Sequence, residues 1–131
     1  MQDRPSFDEL LEAVQHYLRE DVMPNTQGRL SFHARVAGNA IEWIRRELQY
    51  EEEHAAREWQ GLDGLLGAEQ RPASLAETRE RLTARNEDLA ARIRAGDADA
   101  EGPWRDQLLE HLRTVTRDKL AVANPRLLGG G

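Results

Sequence analysis

Apolar residues recur at a helical spacing of about 100° per residue along most of the chain. The segments with this pattern are residues 6–20, 30–60, 75–95 and 103–123. Ser6 and Ser74 are each followed three residues later by a glutamate, which is the capping-box pattern of a helix start. No segment shows the two-residue alternation of a strand. We therefore predict an all-α fold, an antiparallel bundle of four main helices with a short helical turn between the second and third.

The second predicted helix has the widest apolar face, and we expect it to be the central helix of the bundle. Between residues 30 and 48 apolar side chains cover about half of its circumference, more than a surface helix requires. Gly38 lies next to Ala34 and Ala37 in a patch of small residues, where another helix can approach closely. Gly61 and Gly64 predict an end near residue 60, because glycine costs a helix about 1 kcal/mol relative to alanine.

The third predicted helix carries Leu75, Leu82 and Leu89 at heptad spacing. This seam, which extends to Ile93, packs within the bundle or between two copies of the chain. The homodimer is therefore one alternative for the assembly. Asn86 lies beside the seam, where one polar residue fixes register or oligomeric state.

Three ionisable residues fall on apolar faces, and they form the predicted polar site: His33, Glu47 and Lys119. A buried ammonium group must be paired or change its pKa, so Lys119 facing Glu47 or His33 predicts a small polar core between helices. Such a core can bind a ligand or transfer a proton. The structural alternative is that Lys119 extends to the rim while His33 is hydrogen-bonded in the core. This structural alternative is more common in proteins than a functional polar core.

A polar stripe on the second helix is predicted to be a partner-binding face or simply a solvated surface. It consists of Arg35, Asn39, Glu42 and Arg46. Further along, Glu51 and His54 have the Glu-x-x-His spacing of di-metal bundles. That chemistry needs two such motifs, and this chain has one. We therefore predict no metal and no cofactor.

The bulk composition limits the classes of function. With 131 residues the chain has the length of one domain, so we expect residues 1–131 to form a single helical domain. The net charge of −6 argues against binding nucleic acid, which calls for a basic face. The chain has no cysteine and no apolar run long enough to span a bilayer. No signal peptide is evident, and we expect a cytoplasmic protein.

Three segments together carry a family resemblance. They run from Arg4-Pro5-Ser6 to Met23-Pro24, from Gly28-Arg29-Leu30 to Asn39-Ala40, and from His111-Leu112-Arg113 to Asn124-Pro125-Arg126. They resemble a bacterial family of small helical domains of unknown function. Its members are encoded beside, or fused to, phosphotransferase-like proteins of the aminoglycoside-kinase type, often near acyl-CoA dehydrogenases. The resemblance implies a role beside such a protein and supplies no catalytic residues.

Two interpretations of function remain open on the sequence alone. The first is a helical accessory domain without catalytic activity of its own, which partners a phosphotransferase-like (kinase-fold) protein in acyl-CoA-related metabolism. The second is a small-molecule-binding or catalytic bundle, with His33 as acid or base, Lys119 as electrostatic anchor and Glu47 as its counter-ion. An enclosed cavity lined by these three side chains would favour the second interpretation.

Overall fold

The computed structural model describes residues 3–129, and these residues form an all-α structure. Its four α-helices are α1 (Phe7–His16), α2 (Arg29–Leu66), α3 (Leu75–Arg94) and α4 (Pro103–Ala123). The all-α prediction is confirmed, while the antiparallel order of the four helices stays a prediction. Within residues 3–129, no helix combines the length and the apolarity that crossing a bilayer requires.

The chain divides into two compact units, and the boundary falls inside α2. Unit 1 is Met1–Gln49 and contains α1 and the first half of α2, and unit 2 is Tyr50–Gly131 and contains the second half of α2 with α3 and α4. Each unit is described below by itself.

In unit 1, α1 begins at the predicted capping box. The Ser6 hydroxyl accepts a hydrogen bond from the Glu9 N–H, and the Glu9 carboxylate accepts one from the Ser6 N–H. After His16 the helix continues in π geometry over Tyr17–Val22 and in 3₁₀ geometry over Met23–Asn25. The helical segment thus extends a few residues beyond the predicted end at residue 20. It ends at Asn25, directly after Pro24, which has no N–H to donate to a helical hydrogen bond.

Polar side chains join α1 to the first half of α2. Arg45 forms an ion pair with Asp8 at 2.7 Å and donates a hydrogen bond to the Gln15 amide oxygen at 2.9 Å. The Gln15 amide in turn donates to the Gly38 carbonyl at 3.4 Å. The Arg45 hydrogen bond lowers the pKa of the exposed Asp8 carboxyl. Residues near the start of α1 therefore meet residue 45, and later ones meet residue 38, so the chain direction reverses between the two helices.

The patch of small residues on α2 is where α1 approaches. Ala34 is 5% exposed, and the space beside Gly38 is filled by the side chain of Arg19. The patch does contact the first helical segment, and the contact is made through the long side chains of Gln15 and Arg19.

The predicted end of α2 near residue 60 is wrong, because the helix continues to Leu66. The missing side chains of Gly61 and Gly64 leave room for His111 and Gln107 from α4, so these glycines are close-packing positions and not helix ends. The helix stops at Gly67, whose φ of +103° suits a residue without a Cβ. The short helical turn predicted between the second and third helices is the last turn of α2.

Unit 2 has a well-defined hydrophobic core. It is formed by Ala55, Trp59, Leu62 and Leu65 of α2, Leu82 and Leu89 of α3, and Leu108 of α4. The heptad seam of α3 is therefore used inside the chain, and Leu82 and Leu89 are buried. These two buried leucines give no support to a homodimer held by this seam, and the homodimer stays a prediction. Asn86 donates hydrogen bonds to the Glu58 carboxylate and the Leu82 carbonyl, both within 2.9 Å.

The carboxyl end of α2 is capped by side chains from α3 and α4. Arg85, which is 2% exposed, donates to the Gly67 carbonyl at 2.9 Å and to the Asp63 carboxylate at 2.8 Å. Arg92 and the Trp104 indole both donate to the Leu65 carbonyl. The last carbonyl groups of a helix have no N–H partner inside the helix, and these hydrogen bonds satisfy them. The two arginines also place positive charge at the end where the helix dipole is negative.

Candidate functional site

The three residues of the predicted polar site do not form a buried cluster. The side chains of His33 and Glu47 are exposed on α2 in unit 1, and that of Lys119 is exposed on α4 in unit 2. The imidazole of His33 lies edge-on to the ring of Phe32, with centroids 5.6 Å apart. The prediction that these side chains lie in the interior is wrong, since the apolar arc of α2 in unit 1 faces outward.

The predicted partner face, by contrast, is largely an organised polar network. Arg19 of the π-helical segment donates to the Asn39 amide oxygen at 3.1 Å and to the Glu42 carboxylate at 2.7 Å. Arg46 forms a second ion pair with Glu42 at 3.3 Å. The guanidinium of Arg35 lies 5.7 Å from the centroid of the Phe32 ring. The four residues thus keep defined positions along one side of α2, and Arg35 and Asn39 are exposed.

Glu51 and His54 contact different partners, so the two side chains do not form a common metal site. Glu51 forms an ion pair with Arg79, whereas His54 lies 3.6 Å from Asp118. In residues 3–129 no group of three or more histidine, aspartate or glutamate side chains is placed to hold a metal ion.

Unit 2 contains a polar cluster that the sequence analysis missed. Asp118 of α4 is 9% exposed, and its carboxylate accepts a hydrogen bond from Arg57 at 2.5 Å beside the His54 contact. The Tyr50 ring is stacked on the His54 imidazole, with centroids 5.4 Å apart. The charge of the buried carboxylate is therefore compensated by the Arg57 guanidinium, and this ion pair joins α4 to α2 within the unit.

A second missed residue, His111, is 7% exposed and packs against the backbone of α2 at Gly61. Burial lowers the pKa of its imidazole below 6.5, and the Glu58 carboxylate opposes this shift. The ring borders an open groove of about 250 Å³ that is also lined by Arg57 and Gln107. Its Nδ1 edge is directed at Gly61, so the ring serves packing between α2 and α4.

A spacing signal for these missed residues is present in the sequence. Trp104, Leu108, His111, Val115, Asp118 and Val122 are spaced four, three, four, three and four residues apart. This is the a/d spacing of a packed helix face, but two of its positions are polar. The apolar Leu109 and Leu112 lie beside this face on α4, and they are 40% and 42% exposed.

The most unusual surface of the molecule is in unit 1, and we refer to it as the apolar face. It comprises Phe7, Leu10, Val14 and Tyr17 near α1 and Leu30, Phe32, Val36, Trp43, Ile44 and Leu48 of α2. Each of these side chains is between 46% and 67% exposed. Phe7 and Leu48 line one shallow depression, where the two helical segments adjoin. Exposed apolar patches of this extent on a water-exposed protein mark interaction sites.

Comparison with known proteins gives one family match. Residues 24–127 match the family described as Domain of unknown function (DUF6285). No curated protein and no solved structure matches the chain.

The family match covers the loop before α2, all of α2, α3 and α4, and the turn after α4. It therefore includes both halves of the long helix and the packed core of unit 2. On this coverage, the chain belongs to the DUF6285 family of domains of unknown function.

Proposed function

We propose that this chain is a protein-interaction domain, and that its binding surface lies on unit 1. The observation that supports the proposal is the apolar face, whose ten large side chains are about half exposed. Leaving them in water is unfavourable by about 25 cal/mol for each Å² of apolar area. Unit 2 buries comparable residues in its own core, as Leu62 at 0% exposure illustrates. The contrast within one chain favours a surface that another protein covers.

The family resemblance suggests the identity of one partner. We propose a phosphotransferase-like, kinase-fold protein that acts in acyl-CoA-related metabolism in the bacterial cytoplasm. The predicted partner face of Arg35, Asn39, Glu42 and Arg46 supports this proposal, since the Arg19 network holds two of these side chains in place before binding. A preorganised polar surface loses less conformational entropy on binding.

The alternative of a small-molecule or catalytic site has less support. His33, Glu47 and Lys119 are exposed side chains, so none of them belongs to a buried polar core of the predicted kind.

The test is size-exclusion chromatography with light scattering at micromolar concentrations. The chain is run alone and together with the phosphotransferase-like protein encoded nearest to its gene. We expect a complex containing both proteins and its loss in Arg35→Glu. The control is Arg113→Glu on α4, whose side chain is 68% exposed and lies outside the predicted face. Separate elution of the two proteins would refute this partner, and a chain that associates with neither itself nor the partner would refute the interaction domain.

A further inference from the structure

The apolar face has the area of a complete protein interface. Four of its ten side chains are aromatic, and an aromatic side chain carries about 150–250 Å² of surface. With about half of each side chain exposed, the ten together present on the order of 900 Å². A stable interface of standard size buries about 800 Å² on each partner. The exposed apolar area of unit 1 is therefore of the size that one partner contributes to a standard interface.

The face is also self-complementary along α2. Arg29, His33, Val36, Ala40, Trp43 and Glu47 are spaced four, three, four, three and four residues apart, and all six are exposed. This is the a/d spacing of helices that pack along their length. The centre of the row holds the small side chains of Val36 and Ala40, and its two ends carry opposite charges.

A two-fold axis near residue 38 would bring the opposite ends of two such rows together. Arg29 of one copy then faces Glu47 of the second copy, and Val36 faces Ala40. The same contacts occur twice, which is the requirement of a symmetric dimer. A row with the same charge at both ends would repel a second copy in this arrangement.

The charge of unit 1 permits self-association. Residues 1–49 contain six arginines and eight acidic residues, so they carry a net charge of only −2. Repulsion between two such units is weak compared with the gain from covering the apolar face.

We propose that the α2 part of the apolar face binds the same surface of a second copy of this chain. The α2 helices of the two copies pack in opposite directions about a two-fold axis at the level of residue 38, on the side of α2 away from α1. In each copy α1 stays on the other side of α2, where it contacts Gly38. The proposal rests on the proposed function, because it names the occupant of the same surface. The predicted partner face, on a neighbouring side of α2, stays available for the phosphotransferase-like protein.

Sedimentation equilibrium of the full-length chain from about 1 to 100 µM tests the proposal. We expect twice the 14.9 kDa of one chain. Val36→Glu places two unpaired carboxylates beside the axis, so the dimer dissociation constant should rise about 100-fold or more. The matched control is Leu112→Glu, since Leu112 is 42% exposed on α4 of unit 2 and Val36 is 46% exposed. Leu112→Glu should change the dimer dissociation constant by less than about threefold. Circular dichroism confirms that each variant keeps its helices.

Charge reversal tests the register. Arg29→Glu and Glu47→Arg should each weaken the dimer, and the double variant should restore it. A chain that stays monomeric at 100 µM, or a dimer that Val36→Glu leaves intact, would overturn the proposal. If the chain is monomeric and Val36→Glu abolishes binding to the phosphotransferase-like protein, the second copy is refuted while the interaction domain stands. If the chain associates neither with itself nor with the phosphotransferase-like protein, both proposals fail.

Discussion

At the scale of single residues, side chains that look unremarkable in the sequence decide how the helices fit. Gly61 interrupts an otherwise good helix pattern, yet it lies well inside α2, where it makes room for the His111 imidazole. Lys119 lies in the apolar stretch of α4 but is exposed, while its neighbour Asp118 is buried and paired with Arg57. The packing partner on the facing helix sets each of these outcomes, and neither partner is close in sequence.

Gly61→Ala should destabilise unit 2. The added Cβ overlaps the His111 ring, which is packed against α2, so the ring or the backbone must shift. Overpacking of this kind costs about 1–3 kcal/mol and outweighs the better helix propensity of alanine. Urea denaturation measures the free energy of unfolding. Gly38→Ala is the matched control, since its Cβ meets the partly exposed Arg19 side chain and should cost less. Equal losses in the two variants would contradict the packing role of Gly61.

The buried imidazole of His111 should make stability depend on pH. Its pKa lies below 6.5 in the folded chain, so the unfolded chain takes up the proton first as pH falls. The free energy of unfolding should therefore decrease from pH 6.5 downward until the folded pKa is passed. The exposed carboxyls of Asp8 and Glu69, whose pKa values are lowered by arginine hydrogen bonds, contribute only in a more acidic range.

His111→Gln should remove this part of the pH dependence, measured by denaturation between pH 7.5 and about 5. His16→Gln, at an exposed position on α1, is the control and should leave it in place. The same slope in wild type and His111→Gln would show that the imidazole is not the source.

Lys119→Met should change the free energy of unfolding by no more than about 0.5 kcal/mol, because the ammonium group is exposed and its removal strands no buried charge. Thermal and urea unfolding of the variant measure the change. A loss of about 3–5 kcal/mol would instead indicate a buried ion pair at this position.

At the scale of helices, the sequence specifies where α1 and α3 start, but it does not specify where α2 ends. The starts of α1 and α3 occur at Ser6 and Ser74, where the hydroxyl accepts the predicted N–H. Capping chemistry is local, so the sequence alone predicts it. The end of α2 depends on Arg85, Arg92 and Trp104, which come from two other helices. That end could not be predicted from the residues around Gly61.

Arg85→Met should cost about 3–5 kcal/mol, because it leaves the Asp63 carboxylate and the Gly67 carbonyl without their buried donor. It also removes the guanidinium stacked 4.6 Å from the Trp59 ring centroid. Arg81→Met is the control, since this exposed arginine pairs only with Glu69 among the contacts described and should cost less than about 1 kcal/mol. The midpoint of urea denaturation distinguishes the two. Similar midpoints in both variants would argue against a capping role for Arg85.

At the scale of the whole molecule, the two units use their apolar residues differently. Unit 2 encloses a leucine-rich core, whereas unit 1 keeps a broad apolar face at its surface. Only the folded chain can bind a second copy, so dimer formation stabilises the folded state by mass action. The melting temperature should therefore depend on protein concentration.

We expect the melting temperature to rise over a concentration series from about 1 to 100 µM, and to become independent of concentration in Val36→Glu. Differential scanning fluorimetry or circular dichroism measures it. Leu112→Glu should retain the dependence. A wild-type melting temperature that is constant over the series would count against a dimer.

The sequence by itself determined the helical class, the two capped starts and the absence of strands, because helix periodicity and capping act over a few residues. It also identified the patch at Gly38 as a helix contact. Only the tertiary structure decided which face of each helix is covered. The widest apolar arc, at residues 30–48, faces outward, and the polar His111 and Asp118 face inward. The reason is physical: burial depends on neighbours that are distant in sequence, and a polar residue is buried where its partner, here Arg57 for Asp118, lies within hydrogen-bond distance.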